Sequence, residues 1–155
     1  MKFARLSILA AVVALAAAPV TARTAPHETS ATTIETFTRG LGITLVDVDH
    51  SGKPSIGDIE IPRQQFLNRA GKKIGRGVGI CVQVNTAGTG YECQTHYHFA
   101  GGDIMTAGPF SVLGKRFTWA IVGGTGAYSG MTGTLEGAWL DSKFDRARVL
   151  FRLQH

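Results

Sequence analysis

The chain has 155 residues, 44% of them apolar and 8% aromatic, a composition that fits one globular domain and excludes disordered, collagenous and multi-pass membrane classes. Its formal charge of +5 rests on only 17% charged residues, too slight an excess to point to nucleic acid as a partner. Twenty glycines against five prolines, with Val, Ile, Thr and aromatics spread among them, favour short strands joined by tight turns, hence an all-β domain.

Lys2 and Arg5 precede an apolar run from Leu6 to Ala18, and Val20-Thr21-Ala22 supplies small residues of the kind a signal peptidase reads. A signal peptide over residues 1–22 is expected. The run falls short of the about 20 apolar residues that a membrane anchor needs, so the mature chain is expected to be secreted or periplasmic, without stable membrane insertion. Residues 23–40, rich in Thr and Ala and lacking a steady period, read as a flexible leader. The domain is expected over residues 41–155.

Within it, eight strand-like runs follow one another at residues 41–47, 57–66, 77–84, 91–99, 102–110, 116–122, 132–140 and 146–153. Alternation is plainest in the last, where Ala147, Val149, Phe151 and Leu153 fall on one face and Arg146, Arg148 and Arg152 on the other. Eight antiparallel strands with no edge protection predict a closed barrel. In an exported chain the two cysteines can persist as a disulfide. With the third and fourth runs as hairpin arms, Cys81 faces Cys93; free thiols are the alternative.

Four constellations could carry chemistry. Gly123-Gly124-Thr125-Gly126-Ala127-Tyr128-Ser129-Gly130 follows an apolar strand but lacks the spacing and following helix of a dinucleotide site, so it reads as a wide turn. His96 and His98 stand on one face of a strand with Asp103 downstream, yet the rest of a ligand set is missing; they read as surface or subunit-interface histidines. Asp47, Asp49, Ser51, Ser55 and Asp58 have spacings like a calcium loop, but Pro54 interrupts it and Asp58 stands where a bidentate Glu belongs. No metal and no cofactor are expected. Lastly, Leu41, Ile43, Leu45, Asp47 and Asp49 share a face of one strand. Either the two acids line the barrel, where burial and repulsion raise one pKa, or the strand ends and both hydrate in a turn.

Gly57-Asp58-Ile59, Gly79-Ile80-Cys81-Val82, Tyr97-His98-Phe99, Gly102-Asp103-Ile104, Ala107-Gly108-Pro109-Phe110 and the glycine turn through Gly130 with Gly133 together resemble the allene oxide cyclase and dirigent superfamily. The resemblance spans residues 41–153. It implies an eight-stranded antiparallel barrel with an apolar cavity, assembled as a homotrimer. The cyclases' first-strand acid and amide, second-strand amide and third-strand cysteine fall by position on Asp47, Asp49, Gln64 and Cys81, which differ in type at all but the last. Dirigent relatives hold phenolic radicals or quinone methides. The expectation is a barrel that binds a small apolar or phenolic molecule and guides its cyclisation or coupling. Asp47 would be its general acid/base, Asp49 an electrostatic partner and Gln64 a hydrogen-bond orienter, with Phe66, Tyr97, Phe99, Phe117 and Trp119 as ligand contacts or plain core. The rival is a non-catalytic barrel that carries a ligand or makes envelope contacts.

Overall fold

A computed structural model describes residues 31–155; the expected signal peptide and the first part of the leader lie outside the described residues. Eight strands form a closed antiparallel barrel in sequence order: β1 (Ala31–Val46), β2 (Ile59–Leu67), β3 (Lys73–Gln83), β4 (Gly90–Phe99), β5 (Gly102–Ser111), β6 (Arg116–Gly124), β7 (Thr132–Trp139) and β8 (Ala147–Gln154). The expected all-β barrel is what the chain forms.

Closure depends on β1, whose two halves serve different neighbours. Its first half pairs with β8, from Ala31↔Gln154 to Phe37↔Arg148. The second pairs with β2 alone, from Phe37↔Leu67 to Val46↔Ile59. The strand therefore starts at Ala31, ten residues before the expected domain boundary at Leu41, and residues 31–40 are not a flexible leader. Their period is masked because the inward positions are threonines. Thr36 is fully buried and Thr38 buried, and the Thr38 hydroxyl accepts the Ala147 N–H at 2.8 Å. A buried hydroxyl with a backbone partner does the work of an apolar residue at the seam without looking like one in the sequence.

A bulge between Gly40 and Gly42 shifts the inward positions of β1 from even to odd numbers, since the extra residue consumes one step of the two-residue repeat. Gly40 still opposes inward Gln64, but past the bulge Ile43 opposes Pro62 and Leu45 opposes Glu60. This stretch runs beyond the start of β8, so Ile43 stays 57% exposed and Leu45 71% exposed. The inward row is open to solvent there.

The barrel has a sealed end and an open end. At the sealed end Phe66, Tyr97, Phe99 and Phe151 interlock edge to face, with centroids 5.0 Å apart for Tyr97–Phe151 and 5.2 Å for Phe66–Tyr97. Ile104, Leu135 and Leu153 fill the space around them and are fully buried. The glycine-rich segment closes this end as a turn: Gly126–Tyr128 forms a single 3₁₀ turn, and Tyr128 places its ring 6.2 Å from Phe99. Gly126 has a φ of +59° and lies against the Gly101 carbonyl, so a side chain is excluded by both conformation and space. β3 and β4 pair as expected, with Cys81 opposite Cys93 and the two joined in a disulfide.

Candidate functional site

At the other end the inward residues enclose a cavity of about 260 Å³, just under the roughly 300–1,000 Å³ of most ligand pockets. Its wall is aromatic: Tyr97, Phe110, Phe117, Trp119, Trp139 and Phe144. Around its mouth stand Glu60, Arg63, Lys143 and Asp145, and Gln64 and Thr95 reach it from β2 and β4. Both tryptophans of the chain are in this wall.

Inward glycines make room for the rings. Phe117 lies over Gly137, its cross-strand partner, and Trp119 over Gly108, each so closely that a Cβ could not be added without displacing the ring. The paired register of β5 and β6 runs from Ile104↔Gly124 to Ala107↔Ala120, which leaves the Pro109 carbonyl free to accept the Trp119 indole N–H at 2.7 Å. Trp119 is thereby fixed in orientation. Trp139 differs: its Nε1 is buried and has no hydrogen-bond partner among the described residues, although the ring packs 5.2 Å from Phe144 and 5.6 Å from Phe117.

The loop joining β7 to β8 carries Phe144 into the wall. One oxygen of Asp141 accepts the N–H groups of Lys143 at 3.2 Å and Asp145 at 3.1 Å, pinning the chain on both sides of Phe144. Gly40 donates its N–H to the Asp145 carbonyl at 2.7 Å, which ties the loop to β1. Phe144 has a φ of +56°, an uncommon conformation for a bulky side chain.

Burial raises the Tyr97 phenol well above its ordinary value, partly offset by the Thr106 and Thr95 hydroxyls. Burial, reinforced by the Glu60 carboxylate, pushes Tyr91 up to about 12. Tyr91 and Glu60 also line a second cleft of about 260 Å³, together with Asp47 and Pro54, so Glu60 stands between the cavity and that cleft.

Of the residues singled out from sequence, Gln64, Tyr97, Phe117 and Trp119 line the cavity. Phe66 and Phe99 belong to the sealed aromatic cluster instead. Asp47 and Asp49 do not continue the strand face, because β1 ends at Val46. Asp47 accepts the N–H groups of Ser51 and Gly52, and Asp49 that of Ser51. Asp58, which joins them with carboxylate oxygens within 4.8 Å, accepts those of Val48 and Ser55. These bonds favour the ionised forms, so Asp49, through Ser51, and Asp58, through Val48 and Ser55, sit below the ordinary carboxylate range. Of the two alternatives for this pair, the turn is the one formed, and Asp49 is shifted down, opposite to the rise that lining the barrel would bring. His96 is exposed on the outer face, and His98 pairs there with Asp103 at 2.8 Å.

Sequence reasoning missed Glu60, Phe110, Trp139 and Phe144. Glu60 was within reach: counting back in twos from Phe66 through Gln64 and Pro62 places it on the inward face. Nothing local marks Phe144, a lone aromatic in the polar run Asp141-Ser142-Lys143-Phe144-Asp145-Arg146.

Solved structures share this architecture. A pyocyanin demethylase superposes with a TM-score of 0.66 at 25% identity, covering 79% of this chain and 99% of that one. A pterocarpan synthase dirigent protein gives 0.66 at 17% identity over 81% of this chain and 96% of its own. A Diels–Alderase from Streptomyces koyangensis gives 0.61 at 17% over 86% and 72%. No curated protein matches in a search by sequence. The sequence profile of the allene oxide cyclase barrel-like domain matches residues 40–150, and the chain belongs to that family.

Proposed function

We propose that the protein binds a small, flat, apolar or phenolic molecule in the barrel cavity and guides its cyclisation or coupling. The observation that carries this reading is the aromatic wall around one open-ended cavity with a carboxylate, Glu60, at its mouth. Aromatic faces bind conjugated ligands through area and ring geometry, and a few polar groups fix orientation. Support also comes from the pyocyanin demethylase, a relative at 25% identity that by its name acts on a small molecule.

In this reading Glu60 takes the proton-transfer role that the sequence assigned to Asp47. It faces the cavity from β2, whereas Asp47 and Asp49 serve the turn. Gln64, on the same inward row as Glu60, orients a ligand oxygen. Proton transfer by a placed carboxyl is typically worth ~10²- to 10⁴-fold, so Glu60→Gln lowers turnover by that order and leaves affinity largely intact. Mass spectrometry of small molecules co-purified with the native protein tests the reading; a conjugated molecule displaced by Phe117→Ala supports it, and a protein that retains and binds none overturns it.

The same reading has the chain exported and assembled as a trimer. Val78, Ile80 and Val82 form an exposed apolar stripe on the outer face of β3, beside half-buried Ile59 and Ile61 of β2, and such a patch favours self-association. No helix among the described residues is long and apolar enough to cross a membrane. Light scattering of the mature chain at micromolar concentration checks the assembly, with a single-chain mass as the contrary result.

A further inference from the structure

A larger hollow lies on the outside of the barrel, over the seam where β1 meets β8. It measures about 390 Å³, within the range of ligand pockets. Three elements line it, and each brings one apolar residue and one arginine. Phe37 and Arg39 come from β1, Leu67 and Arg69 from the end of β2 and the turn after it, and Leu140 and Arg146 from the neck of the β7–β8 loop. No carboxylate is among the residues that line it.

The strand register brings these side chains together. Thr36 and Thr38 are buried inside the barrel, so Phe37 and Arg39 point out. Phe37 and Leu67 are cross-strand partners and form an apolar floor. Past Phe37↔Arg148, the register of β1 against β8 continues through the Ala147 N–H on the Thr38 hydroxyl and the Gly40 N–H on the Asp145 carbonyl. That continuation sets Arg39 opposite Arg146. Leu140 also faces Arg146, donating its N–H to the Arg146 carbonyl at 2.8 Å.

Like charges directly opposite one another destabilise a sheet, and here no acid offsets them. Glu35 is committed to Arg69 and Arg148 and Glu136 to Arg152. Neither Arg39 nor Arg146 has an ion pair among the described residues. Both are exposed, so their guanidinium groups are open to a molecule entering the cleft. An oxyanion between them relieves the repulsion and matches the planar fork of each guanidinium.

We propose that this outer cleft is a binding site for a small amphipathic carboxylate, its head between Arg39 and Arg146 and its apolar part on Phe37, Leu67 and Leu140. The β7–β8 loop faces both this cleft and the barrel cavity: its neck lines the cleft, while Lys143, Phe144 and Asp145 line the cavity. The inference goes beyond the reading of the cavity and does not depend on it.

The test titrates the full chain with octanoate and with octan-1-ol, which share an alkyl chain and differ in the charged head, and follows backbone amides in ¹H–¹⁵N correlation spectra. Octanoate is expected to shift the amides of Phe37, Arg39, Leu67, Arg69, Leu140 and Arg146 and to bind about tenfold more tightly than octanol. Added salt is expected to weaken octanoate and not octanol. Arg39→Gln combined with Arg146→Gln is expected to lower octanoate affinity about tenfold and leave octanol affinity nearly unchanged. Because the two charges repel, this variant is expected to melt no lower than the wild type, so its loss of binding is not a loss of fold. Octanoate is expected to bind equally well when fluorene, a flat uncharged probe of the barrel cavity, is present.

No octanoate binding, shifts confined to the barrel cavity, competition with fluorene, equal affinity for octanol, or an affinity that survives the double substitution overturns the proposal. So does inorganic phosphate binding as tightly as octanoate, which makes the cleft a plain anion site. Adsorption to phosphatidylglycerol vesicles without octanoate binding overturns it in favour of a membrane contact. Failure of fluorene to bind bears on the cavity reading alone and leaves this site standing.

Discussion

Phe117 lies directly over Gly137, its partner across β6 and β7. The missing side chain on one strand is the space that holds the ring of the other, and the ring in turn forms part of the cavity wall. A methyl group at residue 137 must displace the ring. Gly137→Ala is therefore expected to cost ~1–3 kcal/mol by overpacking and to shrink the cavity. Urea denaturation measures the first effect and fluorene quenching of the tryptophans the second.

Cys81 and Cys93 are joined across β3 and β4 with a sequence separation of 12. Closing so short a loop stabilises by roughly 2–3 kcal/mol in the chain-entropy account. Cys81→Ser with Cys93→Ser is expected to lower unfolding free energy by about that much, and the denatured, unreduced wild-type protein should give no reaction with a thiol reagent. Two titratable thiols in material recovered from an oxidising compartment would contradict the expectation.

Alkaline stability follows from the tyrosines. Tyr91 has its phenol raised from 10.0 to about 12, and burial raises Tyr97 as well. In the unfolded chain both ionise near the ordinary value, so the stability tied to their neutral forms is complete below about pH 10. It is lost progressively as the pH rises from there through the folded values. Absorbance at 295 nm is expected to show both phenols ionising late, together with the loss of native fluorescence. Tyr97→Phe should flatten the fall in stability over that range.

Acid stability has a different origin, at the barrel's seam. Glu35 of β1 is bound by Arg148 of β8 at 2.6 Å and by Arg69 at 2.8 Å, and these bonds hold its carboxyl below the ordinary range. A lowered carboxylate pKa stabilises above the unfolded value and loses that contribution as the pH falls through the folded one. Melting temperature between pH 7 and pH 3 is expected to fall more steeply for the wild type than for Glu35→Gln.

Asp58 receives the Val48 and Ser55 N–H groups, which makes it a brace for the turn after β1. Asp58→Ala is expected to lower the melting temperature while fluorene binding at the cavity persists. A variant that keeps its stability and loses probe binding would instead tie this acidic turn to the ligand site.

The strands of this barrel were legible because their signal is local. A residue two positions away faces the same side, so β8 could be read from Ala147, Val149, Phe151 and Leu153, and β4 from Cys93, Thr95, Tyr97 and Phe99. The Cys81–Cys93 pairing came from counting across a hairpin, which is also local. Where the inward residues are threonines, as at Thr36 and Thr38, the same rule gives no contrast, and the pattern alone places the start of β1 too late. It takes the exposed edge of β8, over a hundred residues away, to turn that segment into a strand.

The site was legible only in part, for a related reason. Gln64, Tyr97, Phe117 and Trp119 lie on well-patterned strands, and alternation was enough to aim them inward. Alternation does not say how far along the barrel axis each one lies, so it leaves Phe66 and Phe99 open as ligand contacts or plain core; the structure puts them in the core cluster that seals the opposite end. Nor could it show where β1 ends: Asp47 and Asp49 keep the parity of Ile43 and Leu45 but lie past Val46, where backbone N–H groups left unpaired by the turn capture their carboxylates. Sequence by itself determined the alternating faces and the hairpin register, because both follow from the two-residue repeat of the extended chain. Only the tertiary structure decided which inward residues surround empty space and which fill it, since that depends on strands distant in sequence and on a loop that carries Phe144 back over Trp139.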